Sequence, residues 1–331
     1  MIESSEILFL WTETPLHAGS GATVSAIDLP IQRDRQTGHP IVQGSGIKGV
    51  LRGHCKKHWN DNAVTEAVFG PDTDASAYGG ALSTSDARIL LFPVASLRGV
   101  CAWITCPLAL AYLHRDLERC GLVPPGFPEL PTVLPEEGGA WISDGACPVA
   151  LPDKGVPTHL VLEEYTLRVQ QKAFVREIAQ WLVENAIPDS AAYAFWRNLI
   201  HQGGSSHLVL LSDDDFKTFV LTATNVAQRI KVNPDTGTVN NTGLWTEENL
   251  PADSLLWNVL HAAPSRAPQT PPKLQDAQGN ASATKVLSCV DEALGKCALI
   301  QIGGDETIGR GLTRVRRYGK ANNIIGGRID G

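Results

Sequence analysis

The sequence lacks the patterns that identify several common classes of protein. It has no run of about 18 or more apolar residues, so we expect no membrane span. The segment MIESSEILFLWTETP has no basic region ahead of its apolar run, so we expect no secretory signal. The seven cysteines are scattered and form no CxxC pair, which is typical of reduced thiols in a cytoplasmic protein.

Familiar catalytic motifs are also missing. GSGATV (19–24) begins like a dinucleotide-binding fingerprint but lacks the third glycine, and IGGDETIGRG (302–311) lacks the Gly-Lys-Ser/Thr of a Walker A loop. Neither HExxH nor GxSxG occurs. His54 and His58 have helical spacing beside Cys55, but no acid lies near them in the sequence, so packed or exposed side chains are a better explanation than a metal site.

Charge is unevenly distributed along an acidic chain. The net charge of −7 argues mildly against a nucleic-acid partner, because phosphate binding draws on lysine and arginine. Two segments nevertheless contain several basic residues and no acid, one from Arg35 to Trp59 and the other from Arg310 to Arg328. They could form two halves of one basic surface.

Hydrophobic periodicity and turn signals predict a compact α+β sheet with helices on one face and no internal repeat. The predicted strands include 6–12, 87–97 and 100–105, and the predicted helices are 45–59 with Ser45 at its N-cap, about 107–120, 170–185 and 189–201, and one opened by Ser212. Eight prolines in 121–158 favour an inserted, loop-rich segment. A hairpin with its turn at NPDTG (233–237) is expected, and 261–285 is expected to be mobile.

Three segments combine residues suited to phosphate chemistry. In VSAIDLPIQRDRQTG (24–38), Asp28 stands between Ile27 and Leu29, so we expect a carboxylate buried in an apolar loop. QGSGIKGVLR (43–52) joins a helix start, whose free N–H groups favour a phosphate, to basic side chains. GGDETIGRGLTRVRR (303–317) joins glycines to a basic strand. Each has an ordinary structural explanation alone, but together they indicate a carboxylate beside a cationic surface that a phosphate backbone can approach closely.

The order of four segments resembles the RAMP superfamily of CRISPR proteins. These segments are PLHAGSG (15–21), AIDLPIQRDRQTGHPIVQGSGIKGVLR (26–52), LWTEENLPADSLL (244–256) and IQIGGDETIGRGLTRV (300–315). Within that family the chain is similar to the repeated backbone subunit of the type III-B (Cmr) effector complex. The resemblance spans 6–59, about 206–256 and 297–317, whereas 121–158 and 261–285 carry no matching motif.

The resemblance implies a single domain over 1–331 with a modified RRM-like, ferredoxin-like core. The resemblance also implies a β-hairpin thumb at about 226–250, and composition adds inserted loops, with a proline-rich and helical insertion at about 121–205 and the mobile segment at about 261–285. Such proteins stack as a filament along a CRISPR RNA, and the thumb wedges into the guide–target duplex at regular intervals. Guide pairing then supplies the sequence specificity.

The resemblance also assigns guide-RNA contacts residue by residue. The helix start and the glycine-rich loop would hold the guide backbone. The positions that match are Gly44, Ser45, Lys48, Arg52, Gly303, Gly304, Thr307, Gly309, Arg310 and Gly311.

Asp28 matches the catalytic aspartate of the family. The implied activity is antiviral: a metal-dependent endoribonuclease, using Mg²⁺ or Mn²⁺, cleaves target RNA within the assembled complex by 2′-hydroxyl attack that leaves a cyclic phosphate. Asp28 would either hold the metal ion or accept the 2′-OH proton, and both roles stay open. His17 and Glu247 match positions near this site, although a histidine in such a loop is also commonly structural.

The partners implied are CRISPR RNA, single-stranded target RNA, other Cmr subunits and neighbouring copies of the chain, without a membrane. Two alternatives remain open. One is a non-catalytic scaffold that polymerises on guide RNA, and the other is the related backbone subunit of the type III-A complex. The acidic net charge makes strong RNA affinity of the isolated subunit doubtful.

Overall fold

The structure is a computed structural model that describes residues 3–22, 26–72, 77–124, 127–233, 235, 237–295 and 297–319. Lys320 and Arg328, which belong to the second basic segment, lie outside the described residues. No helix in the described ranges is both long enough and apolar enough to cross a membrane.

The described residues form fifteen strands, seven α-helices and three short 3₁₀ helices. The strands are β1 (Ser4–Thr12), β2 (Ile41–Val42), β3 (Leu82–Thr84), β4 (Ala87–Ser96), β5 (Val100–Thr105), β6 (Gly139–Ser143), β7 (Ala150–Asp153), β8 (Val156–Leu162), β9 (Tyr165–Lys172), β10 (Leu208–Leu211), β11 (Asn225–Val232), β12 (Val239–Asn249), β13 (Leu255–Ala262), β14 (Leu299–Gln301) and β15 (Leu312–Tyr318). The helices are α1 (Gly44–Trp59), α2 (Asn62–Phe69), α3 (Pro107–Arg119), α4 (Ala173–Asn185), α5 (Ala194–Ile200), α6 (Asp213–Thr222) and α7 (Ala283–Leu294), and the 3₁₀ helices are Ala191–Tyr193, Pro272–Leu274 and Glu306–Ile308.

One mixed sheet carries the fold, and its centre has the strand order β15-β1-β13-β4 with antiparallel neighbours. Helix α1 follows β1 and helix α7 follows β13, and the two helices contact each other. The His54 ring lies 3.0 Å from the Ala293 carbonyl, and the Trp59 indole N–H donates to the Cys289 carbonyl at 3.2 Å. The predicted α+β class is confirmed.

Helices cover both faces of the sheet, so the expectation of helices on one face was wrong. Strand β1 explains why, because its buried side chains alternate between two separate cores. Leu8 and Leu10 pack in the core that contains residues of α1, α2, α6 and α7. Ile7 and Phe9 pack in the core that contains residues of α3, α4 and α5. A strand that is apolar on both sides requires a layer on each side.

The proline-rich insertion contains more regular structure than the sequence indicated. Strand β6 lies between β10 and β9 in the main sheet, and β7 and β8 form a hairpin at its edge. Prolines do not prevent this, because Pro152 and Pro157 face each other at the irregular end of the edge hairpin and β6 contains no proline. Strand β9 also takes the first residues of the helix predicted from 170, so α4 begins at Ala173.

Residues 261–285 are packed against the domain rather than free of it. Leu274 is fully buried, and the turn around Asp276 is closed by bonds from the Gln278 and Asn280 N–H groups to its carboxylate, at 2.9 and 2.8 Å. The prediction at Ser212 is confirmed, since its hydroxyl accepts from the Asp215 N–H at 3.1 Å and caps α6.

Strands β11 and β12 form a separate two-stranded hairpin. Its outer part carries an exposed cross-strand apolar pair, Ile230 opposite Leu244, which are 54% and 65% exposed. The base of the hairpin is buried, with Glu247 and Glu248 almost without exposure. The hairpin therefore joins an apolar, exposed part to a base enclosed by the domain.

Candidate nucleic-acid interface

Asp28 is exposed, which corrects the expectation of a buried carboxylate, although Ile27 and Leu29 beside it are half-buried. The segment that contains it lies along the base of β12. The Leu29 N–H donates to the Thr246 carbonyl at 3.0 Å, and the Glu248 N–H donates to the Leu29 carbonyl at 3.0 Å. The apolar neighbours of Asp28 thus anchor the loop, while its carboxylate is presented to the outside.

Thr246 holds the Asp28 carboxylate directly. Its backbone N–H and its hydroxyl both donate to Oδ2, at 2.7 and 2.8 Å. The hydroxyl also accepts from the Asp28 N–H at 2.9 Å. These bonds hold the pKa of the Asp28 carboxyl below its ordinary value, so the group is ionised at neutral pH.

Glu248 fixes the continuation of the same segment. Its buried carboxylate accepts from the Ile31 N–H at 3.0 Å, from the Thr224 hydroxyl at 2.9 Å and from the Arg33 guanidinium. Arg33 in turn donates to the Val220 carbonyl at 2.9 Å at the end of α6. The buried charge is paired and hydrogen-bonded, so the loop between Asp28 and Arg33 is attached to the domain at several points.

His17 connects the hairpin base to the glycine-rich loop. Its Nδ1 lies 2.7 Å from the Glu248 carbonyl, and because a carbonyl only accepts, Nδ1 carries the proton. Its own carbonyl accepts from the Gly304 N–H at 2.9 Å. A Cβ on Gly19 would lie 2.7 Å from Nε2, which places that nitrogen beside Gly19. His17 therefore has a structural role at the junction of these elements.

Glu247 does not share the environment of Asp28, because successive side chains of a strand point to opposite faces. Its buried carboxylate accepts from Arg229 at 3.3 Å and from the Asn249 amide at 2.9 Å. Burial alone would raise the pKa of Glu247, but these hydrogen bonds outweigh it and hold the pKa below the ordinary value. Within the structure Glu247 stabilises the hairpin.

The start of α1 differs from the prediction at Ser45. Gln43 is the N-cap and provides no side-chain bond, so Ser45 is already inside the helix. The Gly44 N–H is not available to a ligand, because it donates to the Asp86 carboxylate at 2.8 Å. Glycine is required at 44 for internal packing, since a Cβ there would lie 2.7 Å from the Thr84 carbonyl oxygen.

The glycine-rich loop is held by its own backbone. Gly303 has a φ of 82° and a Cβ there would overlap the His17 carbonyl. Gly311 has a φ of 72°, and a Cβ there would overlap the Ile302 carbonyl. Thr307 and Gly309 lie at the exposed part of the loop, and Arg310 is half-buried. The loop keeps a shape that only glycine permits at two of its positions.

A pocket of about 240 Å³ joins the two predicted phosphate-binding segments. Residues from four stretches of the chain line it: His17, Ala18, Gly19, Gln32, Val42, Gln43, Ser45, Gly46, Ile302, Gly303 and Gly304. Gln32 connects two of these stretches, since its amide donates to the Gly19 carbonyl at 3.0 Å and accepts from the Gln43 N–H at 2.9 Å. Segments far apart in the sequence thus form one polar recess.

Within the described residues, several cations of the two basic segments are paired rather than free. Three of their arginines pair with carboxylates from distant parts of the chain: Arg52 with Asp72, Arg314 with Glu13, and Arg317 with Asp291. Arg316 donates to backbone carbonyls at the end of α4. Lys48 on α1 and Arg310 in the glycine-rich loop make no ion pair within the described ranges.

The described residues do not fit a metal site made by the protein alone. No group of three or more His, Cys, Asp or Glu side chains in the described ranges is arranged to hold an ion. At Asp28, Oδ2 already accepts two bonds from Thr246, so a cation would meet one free carboxylate oxygen. Mg²⁺ needs near-octahedral oxygen coordination, which this carboxylate cannot supply by itself.

Sequence reasoning missed Thr246 and Glu248 as parts of the site. Thr246 is 218 residues from Asp28, and Glu248 is 217 from Ile31. No local pattern indicates these contacts. The only signal was that LWTEENLP belongs to the same set of family segments as the Asp28 loop.

The chain belongs to the RAMP superfamily, whose family model it matches over residues 10–314. It is 33% identical over 320 residues to "CRISPR system Cmr endoribonuclease Cmr4" of Pyrococcus furiosus, covering 95% of this chain and 96% of that protein. It is 27% identical over 328 residues to "CRISPR system CMR subunit Cmr4" of Saccharolobus solfataricus, covering 93% and 94%.

Solved structures have the same fold. The crystal structure of oligomeric Cmr4 from Pyrococcus furiosus has a TM-score of 0.65 at 27% identity, covering 95% of this chain and 98% of that one. A chain of the cryo-EM structure of the type III-B Cmr-beta complex bound to cognate target RNA has a TM-score of 0.67 at 20% identity, covering 96% and 98%. The second similarity concerns the fold alone.

Proposed function

We propose that this chain is the backbone subunit of a type III-B effector complex in the cytoplasm and cleaves target RNA paired to a guide. One observation carries the proposal. An ionised, exposed Asp28 is attached to the base of a protruding hairpin, in a chain 33% identical to a named Cmr endoribonuclease. The partners are CRISPR RNA, target RNA, other Cmr subunits and neighbouring copies, which agrees with the oligomeric Cmr4 relative.

The core of this subunit is RRM-like. In the order of the chain, β1, α1, β4, β13, α7 and β15 give a βαββαβ series, and these strands lie side by side in the order β15-β1-β13-β4. That series and order are those of a ferredoxin-like sheet. The β11–β12 hairpin is the thumb, and its exposed pair Ile230 and Leu244 is of the apolar type that wedges between bases.

Cleavage proceeds by attack of a target 2′-hydroxyl on the adjacent phosphorus. The new bond joins the 2′ oxygen to phosphorus as the 2′-hydroxyl proton passes to water, the bond to the 5′ oxygen breaks, and that oxygen takes a proton from water. Because its pKa is lowered, Asp28 is a weak base, so it is better suited to orient the 2′-OH by accepting its hydrogen bond than to hold its proton. A base displaced by the thumb allows the in-line alignment that this attack needs.

A divalent cation, Mg²⁺ or Mn²⁺, is part of the proposal on the ground of the family resemblance. The protein would offer it one oxygen of Asp28, so RNA phosphate oxygens and water would supply the other ligands. When bound, the cation would stabilise charge on the phosphate.

The chemistry is tested on the assembled complex by the ends of its products. Target RNA paired to the guide is expected to be cut at regular intervals into products that end in a cyclic phosphate. EDTA should abolish cutting, and added Mg²⁺ should restore it. Products with a 5′-phosphate and a 3′-hydroxyl would contradict the 2′-hydroxyl attack, and full activity in EDTA would contradict the cation. No cutting by the wild-type complex would favour the non-catalytic scaffold.

Lys48 and Arg52 are expected to differ in their effect on guide binding. Lys48→Ala should weaken guide RNA binding severalfold and reduce the slope of log K against log salt by about 1, because one phosphate contact is lost. Arg52→Ala should leave that slope unchanged, because Arg52 is paired with Asp72 and bonded to the Gly70 carbonyl at 2.7 Å. Filter binding across a salt series measures both, and equal slopes for the two variants would contradict the assignment.

A further inference from the structure

We propose that Thr246 is the positioning residue of the cleavage site: it locks the Asp28 carboxylate to the thumb strand, so that the position of the thumb sets the position of Asp28. The inference rests on the proposed function, since it assigns a partner to the residue expected to act on RNA. Thr246 itself is not expected to touch RNA.

The contacts between the two residues are reciprocal. The Thr246 N–H and hydroxyl donate to Oδ2 of Asp28 at 2.7 and 2.8 Å, and the Asp28 N–H donates back to the Thr246 hydroxyl at 2.9 Å. The Leu29 N–H adds a bond to the Thr246 carbonyl at 3.0 Å. Every polar atom of Thr246 is hydrogen-bonded to Asp28 or Leu29. The Asp28 carboxylate therefore cannot rotate without breaking these hydrogen bonds.

Thr246 belongs to a row of three side chains on one face of β12. Residues 244, 246 and 248 share a face because strand side chains alternate, and each is about 7 Å from the next along the strand. Leu244 is exposed and belongs to the apolar pair proposed to meet bases. Glu248 is buried and anchors Ile31 and Arg33. One strand thus carries Leu244, which is proposed to contact the duplex, Thr246, which holds Asp28, and Glu248, which is anchored in the domain.

This row has a consequence for catalysis. When the thumb enters the duplex, Leu244 and Thr246 keep a fixed separation on one paired strand, so Asp28 is held at a fixed position relative to the site at which a base is displaced. The hydroxyl of Thr246 has a defined orientation, because it accepts from one atom of Asp28 and donates to another. A valine side chain has the same shape as threonine but can neither donate nor accept a hydrogen bond, whereas the serine hydroxyl can do both.

The test compares three variants in the assembled complex with guide RNA. Single-turnover cleavage of target RNA is measured from acid to neutral pH for Thr246→Val, Thr246→Ser and the control Thr222→Val. Thr222 is a suitable control, because among the described residues its exposed hydroxyl donates to the Thr218 carbonyl of its own helix, at 2.9 Å, and to no other group. Target RNA binding is measured in parallel.

Thr246→Val is expected to cleave about 10 to 100 times more slowly, the loss typical of a misplaced reacting group. The acid limb of its pH–rate profile should move to higher pH, because the Asp28 carboxylate loses a hydrogen bond that favours its ionised form. Thr246→Ser should stay within about threefold of wild type, Thr222→Val should not differ from it, and binding should be equal for all.

Several results would overturn the inference. One is a Thr246→Val variant that cleaves at the wild-type rate with an unchanged pH–rate profile. Another is an equal loss of cleavage rate in the valine and serine variants. A third is a loss of target RNA binding in Thr246→Val that is large enough to explain its slower cleavage. The Asp28→Ala variant distinguishes a failure of the positioning role of Thr246 from a failure of the proposed function. If Asp28→Ala is inactive while Thr246→Val is normal, only the positioning role is wrong, and if Asp28→Ala is active, the proposed function is wrong.

Discussion

Asp28→Ala is expected to reduce cleavage of guide-paired target RNA by a factor on the order of 10³ without reducing target binding. The factor lies within the range for loss of a general acid–base or charge-stabilising group. Binding should persist, because Asp28 is an exposed acid and contributes no attraction to phosphate. Single-turnover cleavage and filter binding on the same assembled complex measure the two effects.

Two further variants make that result specific. Asp28→Asn keeps an acceptor oxygen but no charge, so it should be nearly as inactive as Asp28→Ala if ionisation matters. Asp153→Ala removes an exposed acid at the edge hairpin of the insertion and should cut normally. Normal cutting by Asp28→Ala, or an equal loss in Asp153→Ala, would refute the role of Asp28.

Gly303→Ala is expected to destabilise the domain by at least about 2 kcal/mol and to weaken guide RNA binding at least tenfold. Its left-handed φ of 82° costs alanine about 1 kcal/mol, and its Cβ would overlap the His17 carbonyl. The hydrogen bond from the Gly304 N–H to that carbonyl would be displaced, which costs about 1 kcal/mol more. Denaturant unfolding and guide-binding titrations measure these losses.

Gly309→Ala is the matched control in the same loop. Gly309 has a similar φ of 78°, but nothing lies within 4 Å of a Cβ there. It should therefore lose only about 1 kcal/mol, the conformational cost. Equal losses in the two variants would show that the packing of the loop on His17 is unimportant, contrary to the structure.

Local pattern was enough for the elements that depend on local chemistry. The apolar run at 6–12 became β1, and Ser212 with the acids after it became the capped start of α6. A hairpin is also found over β11 and β12, where the sequence predicted one, while Pro234 and Thr236 of its predicted turn lie outside the described residues. In each case the deciding interactions, side-chain periodicity, capping and turn geometry, lie within a few residues.

Other features depended on pairings that no local pattern contains. Arg52 and Arg314 are neutralised by Asp72 and Glu13, so absence of acids within a segment did not make its surface basic. Ser45 was expected to cap α1, but the Gly44 N–H is satisfied by Asp86. Strand β6 was hidden by prolines that lie outside it. These outcomes are set by tertiary contacts, which composition and spacing do not specify.

The most direct test of the account is a structure of the assembled complex with guide RNA and a target that carries 2′-deoxyribose at the cleavage position. We expect an Asp28 carboxylate oxygen to lie within hydrogen-bond reach of that 2′ position, directly or through one water, at about 3 to 5 Å. We also expect Thr246 to donate to Oδ2 as it does in the structure of the free chain. An Asp28 carboxylate more than about 10 Å from every target ribose, with the thumb fully inserted, would contradict the account, because no proton or hydrogen-bond contact reaches that far.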